Sequence, residues 1–196
     1  MEKKLLITGF DPFGGESINP SWEAVRLLAG KVGCFQLTKL RIPTVFGEAA
    51  QAVLDAAEAL RPDVILCVGQ AGGRSAITPE AVAINLREAT IPDNAGNRPV
   101  NTPVIPQGPA AYFSTVPVRQ MVSAIHAAGV DSSLSLSAGA FVCNDTLYAL
   151  LHHYCGSSTQ VGFVHIPYLP QQAPEGKPSM ALEQMVAGLT AAIEAF

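Results

Sequence analysis

Asp63-Val64-Ile65-Leu66-Cys67-Val68-Gly69 is a nearly unbroken apolar run closed by a glycine. A strand with one wet face alternates apolar and polar residues, whereas a strand covered by helices on both faces reads apolar throughout. The run therefore predicts a central strand of a parallel sheet. Upstream, Glu48 to Leu60 sets Ala49, Val53, Ala56, Ala57 and Leu60 on one helical stripe. Before it, Leu37 to Ile42 reads as a strand ending at Pro43. Asn19-Pro20-Ser21 opens a helix with Ser21 as N-cap, and Lys4 to Thr8 reads as the first strand. Downstream, Ser132 to Ser137 and Gly162 to Ile166 read as strands. Pro117 to Ala128, Cys143 to Tyr154 and Ser179 to Ala195 read as helices, with Pro117 in a first helical position and Gly129 at the stop. This alternation predicts an α/β protein: one domain over residues 1–196, a three-layer α/β/α sandwich around a twisted mixed, mostly parallel sheet. Residues 91–107, with four prolines and Asp93-Asn94-Ala95-Gly96-Asn97, read as a long ordered loop or hairpin.

Composition narrows the function classes. The chain is 48% apolar and 14% charged, which suits a packed core and not a disordered polymer. A net charge of −4, with no basic stripe, points away from nucleic acid. Leu5-Leu6-Ile7-Thr8-Gly9-Phe10 is too short for a signal peptide core and runs into Asp11-Pro12, and no apolar run reaches membrane-spanning length. Cys34, Cys67, Cys143 and Cys155 show no paired spacing, the usage of a reducing compartment, so a cytoplasmic protein is expected. The histidines form no ligand spacing, His152 and His153 are expected on the exposed side of their helix, and neither metal nor cofactor is expected.

The chemistry concentrates where helices begin and strands end. Cys143 lies in Gly139-Ala140-Phe141-Val142-Cys143-Asn144-Asp145, just ahead of the stripe Leu147, Leu150, Leu151 and Tyr154. A helix N-terminus has unpaired N–H groups and partial positive charge, which favour ionisation of a thiol, and the thiolate is the nucleophile. The bland alternative is a small core hydrophobe, the commoner state of a free cysteine. His165 closes Val161-Gly162-Phe163-Val164-His165 ahead of Ile166-Pro167, where a general base would be held rigidly. Gly69-Gln70-Ala71-Gly72-Gly73-Arg74 follows the central strand. As a phosphate loop it is weak, having neither GxGxxG nor a P-loop lysine. Glu80 starts the alternating run to Asn85, which allows it to point inward, although a lone glutamate is more often a solvated edge residue. Sites of open α/β sheets form at the carboxyl ends of the strands, where these segments could converge.

Together these segments resemble the pyrrolidone carboxyl peptidase family, cysteine peptidases also called pyroglutamyl peptidase I. The resemblance runs in order from Ile7-Thr8-Gly9-Phe10-Asp11-Pro12-Phe13-Gly14-Gly15 and Asn19-Pro20-Ser21-Trp22-Glu23, through Gly69 to Arg74 and Ile77-Thr78-Pro79-Glu80. It ends at Phe141-Val142-Cys143-Asn144 and His165-Ile166-Pro167-Tyr168-Leu169-Pro170. It implies removal of an N-terminal pyroglutamyl residue from peptides through a thioacyl enzyme, with Cys143 as nucleophile, His165 as acid and base, and Glu80 orienting the imidazole. It implies a substrate pocket of Phe10, Phe13, Asn19, Gln70, Phe141 and Val142, with the two aromatics of the first loop sandwiching the lactam. It also implies a homotetramer and places Arg74 beside the site. Pyroglutamate is flat and uncharged, so its pocket needs an apolar slot and matched amide partners, each unmet buried polar group costing roughly 1–3 kcal/mol.

The pattern breaks at Glu88-Ala89-Thr90-Ile91-Pro92-Asp93-Asn94, where the family commonly has an arginine at the position of Thr90. Arg87, three residues away, would face the other side of an extended segment. Ala81 also replaces a common arginine. Two other classes stay in view: a non-catalytic binder of pyroglutamyl compounds, and a phosphate-handling enzyme of similar architecture.

Overall fold

The apolar run around Leu66 forms β4 (Val64–Gln70), flanked by β1 (Lys3–Phe10) and β8 (Gln160–Ile166), both parallel to it. The computed structural model describes residues 2–196. Beyond β1 lie β3 (Phe35–Ile42), also parallel, and the short antiparallel β2 (Lys31–Val32); beyond β8 lies the antiparallel β5 (Thr78–Pro79). The sheet order is β2-β3-β1-β4-β8-β5, and a separate hairpin pairs β6 (Val82–Ile84) with β7 (Ala111–Phe113).

Side chains of successive strand residues point to opposite faces, and each face has its own core. Leu5, Ile7, Val64, Leu66, Val68, Val164 and Ile166 pack with α1 (Pro20–Leu27), α3 (Val118–Ala127) and α5 (Leu182–Glu194). Leu6, Phe10, Ile65, Cys67, Val161 and Phe163 pack with α2 (Glu48–Leu60) and α4 (Val142–His153). The three layers and mixed, mostly parallel sheet are those expected. After β1 the chain moves outward to β3 and then crosses back to β4, so β1 and β4 flank the point where the strand order reverses. A crevice opens there at the carboxyl ends of the strands.

Local differences from the expectations have physical reasons. Asn19, not Ser21, caps α1: its Oδ1 accepts from the Ser21 N–H at 3.0 Å, and Pro20 takes the first helical position, where a missing N–H costs nothing. Ser21 Oγ instead accepts from the Phe10 N–H at 2.9 Å. Residues 132–137 make only isolated bridges, from Ser132 to Ile77 and from Ser135 to Glu80, and no strand. Their neighbour β5 is two residues long and includes Pro79, which has no N–H to donate. The final helix starts at Leu182, not Ser179, because Ser179 bridges to Tyr168 and holds that stretch extended. Pro117 stands one position ahead of α3. The proline-rich loop is ordered by Asp93, whose carboxylate accepts from the N–H groups of Phe46, Ala95 and Asn97 and from Asn97 Nδ2.

Candidate active site

Four chain segments meet at the reversal point. β1 ends at Phe10, β4 at Gln70 and β8 at Ile166, and the N-terminus of α4 comes down on them from one face. Gly69 on β4 and His165 on β8 are register partners. Cys143 is the second residue of α4. A Cβ on Gly69 would lie 2.9 Å from the Cys143 sulfur and 2.8 Å from the Phe163 ring. The missing side chain of Gly69 is thus the space in which the sulfur rests.

These residues line a cavity of about 280 Å³. That is near the lower end of small-molecule sites, which run from about 300 to 1,000 Å³. Phe10, Phe13 and Phe141 supply aromatic walls; Asn19, Thr44 and Gln70 supply polar ones; Cys143, His165 and Arg74 supply the ionisable side chains. The two aromatics of the first loop differ in setting. Phe10 is buried against Phe163, with ring centroids 6.1 Å apart, while Phe13 is half-buried against Phe141 at 6.2 Å. Phe141 is fixed in turn by an edge-on contact with Phe46 at 5.2 Å.

His165 Nδ1 meets Glu80 Oε1 at 2.7 Å. Glu80 is fully buried, the rarer of the two placements its run allowed. Its Oε1 also accepts from Arg74 Nη1 at 2.6 Å, and Oε2 has no partner. Burial pushes the Glu80 carboxyl up, but the hydrogen bond and charge of His165, with Arg74, outweigh it and hold the pKa below the usual 4.5. Burial lowers the His165 pKa below 6.5; Glu80 opposes this and Arg74 adds to it. The imidazole is therefore neutral at pH 7. With Nδ1 held by Glu80, Nε2 is the nitrogen left to exchange protons.

The thiol differs from the sequence expectation of easy ionisation. Cys143 keeps partial solvent contact, yet burial, with the negative charge of Glu80, pushes its pKa up to about 12. Desolvation outweighs the pull of the helix N-terminus. The resting pair is a neutral thiol and a neutral imidazole.

Other predicted positions fall in different places. Asn19 lines the cavity, but its Oδ1 accepts from Ser21 and its Nδ2 donates to the Asp11 carbonyl, so it shapes the first loop. Gln70 Oε1 accepts from Gln172 Nε2 at 3.3 Å, which leaves the Gln70 amide N–H groups for a ligand. Val142 is buried in the core between α2 and α4 and forms no cavity wall with its side chain. Thr90 is exposed and outside the wall. Arg87 is no substitute for an arginine there, since its Nε pairs with Asp145 Oδ1 at 2.5 Å. His153 is exposed, but His152 is half-buried, its Nδ1 2.9 Å from the Tyr112 hydroxyl.

Two supporting residues went unassigned in the sequence. Asn144 Oδ1 accepts from the Ile84 N–H, and its Nδ2 donates to the Ile84 and Leu86 carbonyls. Asp145 Oδ2 accepts from the Gly47 N–H at 2.8 Å. Both are fully buried and pin the first turn of α4, and so Cys143, to two neighbouring segments. The available signal was adjacent polar residues at the start of an otherwise apolar helix.

The family model described as "Pyroglutamyl peptidase" matches residues 3–196. This chain belongs to the pyroglutamyl peptidase family. Among its relatives, the pyrrolidone-carboxylate peptidase of Escherichia fergusonii is 54% identical over 196 residues, covering 97% of this chain and 91% of that protein. That of Levilactobacillus brevis is 53% identical, covering 98% and 96%. A crystal structure of pyroglutamyl peptidase I from Bacillus amyloliquefaciens superposes with a TM-score of 0.94 at 45% identity, covering 99% of this chain and 96% of that one. A mutant pyrrolidone carboxyl peptidase from Pyrococcus furiosus gives 0.93 at 39% identity, covering 98% and 97%. Among the described residues, no helix is long and apolar enough to cross a membrane, and no group of three or more His, Cys, Asp or Glu residues is arranged to hold a metal.

Proposed function

We propose that this protein is a cysteine exopeptidase that removes N-terminal pyroglutamyl residues from peptides, with Cys143 as nucleophile, His165 as acid and base, and Glu80 orienting the imidazole. The observation that carries the reading is the Glu80 to His165 Nδ1 contact behind a small aromatic cavity that Cys143 also lines. His165 Nε2 takes the thiol proton as sulfur attacks the pyroglutamyl carbonyl. The backbone N–H groups at the start of α4 stabilise the tetrahedral oxyanion, as no side chain caps that end. Collapse breaks the amide bond, and His165 returns its proton to the departing amine. Water, deprotonated by His165, then cleaves the thioester and restores the thiol. A neutral resting pair suits this sequence, because charge appears only as the bond forms.

The lactam ring is placed between Phe10, Phe13 and Phe141, with the Gln70 amide and backbone groups near Phe141 and Val142 meeting its polar edge. The cavity size and its lack of a carboxylate for an ammonium support this placement. We take residues 1–196 as one peptidase domain, working in the cytoplasm with free thiols and without metal, cofactor, nucleic acid or membrane. Unpaired Cys34, Cys67, Cys143 and Cys155 support the compartment. The homotetramer rests on the family resemblance, and exposed Ile84 and Phe113 on the β6–β7 hairpin offer it an apolar face.

The deciding experiment is release of a fluorophore from a pyroglutamyl amide by wild type and Cys143→Ala. Turnover by wild type alone is expected. No turnover by folded, reduced wild type that still binds a pyroglutamate analogue would replace the peptidase with the binder.

A further inference from the structure

We propose that Arg74 is a positioning residue: its guanidinium holds Glu80 and the cavity wall before Cys143 in the arrangement that aims His165 into the site. This rests on the roles given above to Cys143, His165 and Glu80.

Arg74 is the one residue of the cavity lining with a permanent charge. A substrate-binding arginine would offer its fork to the cavity. Here Nη1 donates to Glu80 Oε1 at 2.6 Å and to Thr78 Oγ1 at 2.5 Å, and Nη2 donates to the Ser137 carbonyl at 3.0 Å. Thr78 is the register partner of His165 across β5 and β8. Arg74, Thr78, Glu80 and His165 thus form a closed set on adjoining backbone.

Glu80 needs such a clamp. Its carboxylate is fully buried, and one oxygen takes both Arg74 and His165 while the other has none. A lone hydrogen bond to His165 would leave the carboxylate free to turn. A second bond to the same oxygen removes that freedom. A buried carboxylate beside a neutral imidazole also lacks a counter-charge, and Arg74 supplies it permanently.

The other nitrogen reaches across the site. Ser137 leads into Ala138 and Gly139, which line the cavity on the approach to Cys143. One planar fork therefore links the orienting carboxylate to the wall beside the nucleophile. Lysine, a point donor, cannot span both. The charged and titratable groups around the imidazole are Glu80 following β5, Arg74 in the turn after β4, and Cys143 on α4. Arg74 opposes protonation of His165 through its charge.

The test compares wild type, Arg74→Gln and Arg74→Lys by NMR titration of His165 and by kcat and KM on a pyroglutamyl amide. Arg74→Gln is expected to raise the His165 midpoint. It should lower kcat by about 10-fold or more, with KM within about twofold, as misplacement of a catalytic group predicts. Arg74→Lys should restore the midpoint but not the full rate. A rise in KM with unchanged kcat would make Arg74 a substrate ligand and overturn the proposal, as would an unmoved midpoint. Should Arg74→Gln fail to fold, Arg74→Lys still decides, since full activity there would remove the need for a fork. An inactive wild type would overturn the peptidase reading, while the titration would still report on Arg74.

Discussion

The Cys143 sulfur occupies the space that a side chain on Gly69 would fill, 2.9 Å from where that Cβ would stand. The thiol is thus positioned by its helix from above and by a missing methyl from below. Gly69→Ala should push the sulfur away while leaving the sheet hydrogen bonds intact. A shift near 1 Å at a reacting atom costs about 10²-fold in rate, so kcat should fall by that order. Steady-state kinetics on a pyroglutamyl amide, with thermal unfolding as control, would show it. Near-normal kcat in the folded variant would mean that the contact does not set the geometry.

Glu80→Gln should uncouple His165 from its orienting charge. Glu80 raises the His165 pKa, so its loss should move the His165 titration to still lower pH. The rate should fall by up to about 10⁴, as when a neutral amide replaces the triad carboxylate elsewhere. In wild type, kcat/KM should keep its acid limb below pH 6.5, since His165 titrates below that value. The fold has its own acid limit. Glu80 titrates below 4.5 when folded, so its stabilising contribution is complete above pH 4.5 and is lost as pH falls through the folded value. His165, buried with its pKa held below 6.5, removes stability in the same direction, beginning as pH falls below 6.5. Denaturant titration against pH should therefore show the unfolding free energy declining below pH 6.5 and declining further below pH 4.5; a flat profile between these values would contradict the His165 shift.

Phe10 and Phe13 should separate stability from binding. Phe10 is buried in the core shared with α2 and α4, so Phe10→Ala should cost about 3–5 kcal/mol, the range for core aromatics. Phe13 is half-buried on the cavity side of Phe141. Phe13→Ala should chiefly raise KM, with a much smaller change in unfolding free energy. Denaturant titration beside kinetics would measure both. Equal destabilisation by the two would refute the division.

Thr90 is exposed and outside the cavity wall, and Arg87 is committed to Asp145. The proposed catalytic group therefore has no arginine at this place, where one is common in the family. A long cationic side chain at position 90 has solvent space in which to extend. Thr90→Arg should increase kcat, up to the roughly 10²–10³ that one transition-state donor contributes. Unchanged or lower kcat would show that the α4 backbone already meets the need.

Much of the fold was legible because its signals are local. The unbroken apolarity of Val64 to Val68 requires cover on both faces, and the stripe from Ala49 to Leu60 marks a helix whose observed limits are Glu48 and Leu60. Cys143 ahead of a helical stripe and His165 at a strand end could also be placed, because each follows from periodicity; Glu80 could not, since its run allowed an inward or a solvated side chain. Where neighbours in space compete, the sequence misled. Ser132 to Ser137 alternates like a strand, yet the edge it would join is two residues long and contains a proline. Ser21 looks like a cap, yet Asn19 takes that role because Pro20 begins the helix.

By itself, the sequence determined the layer order, the kinds of reactive group and their places at element ends, since these depend on residues close in the chain. Only the tertiary structure decided how the groups act on one another. The Glu80 contact joins residues 85 positions apart, and the space for the sulfur depends on Gly69, on another strand. The Cys143 pKa near 12 reflects desolvation by the whole cavity wall. Burial and charge act through space, and no local pattern in the chain records their sum.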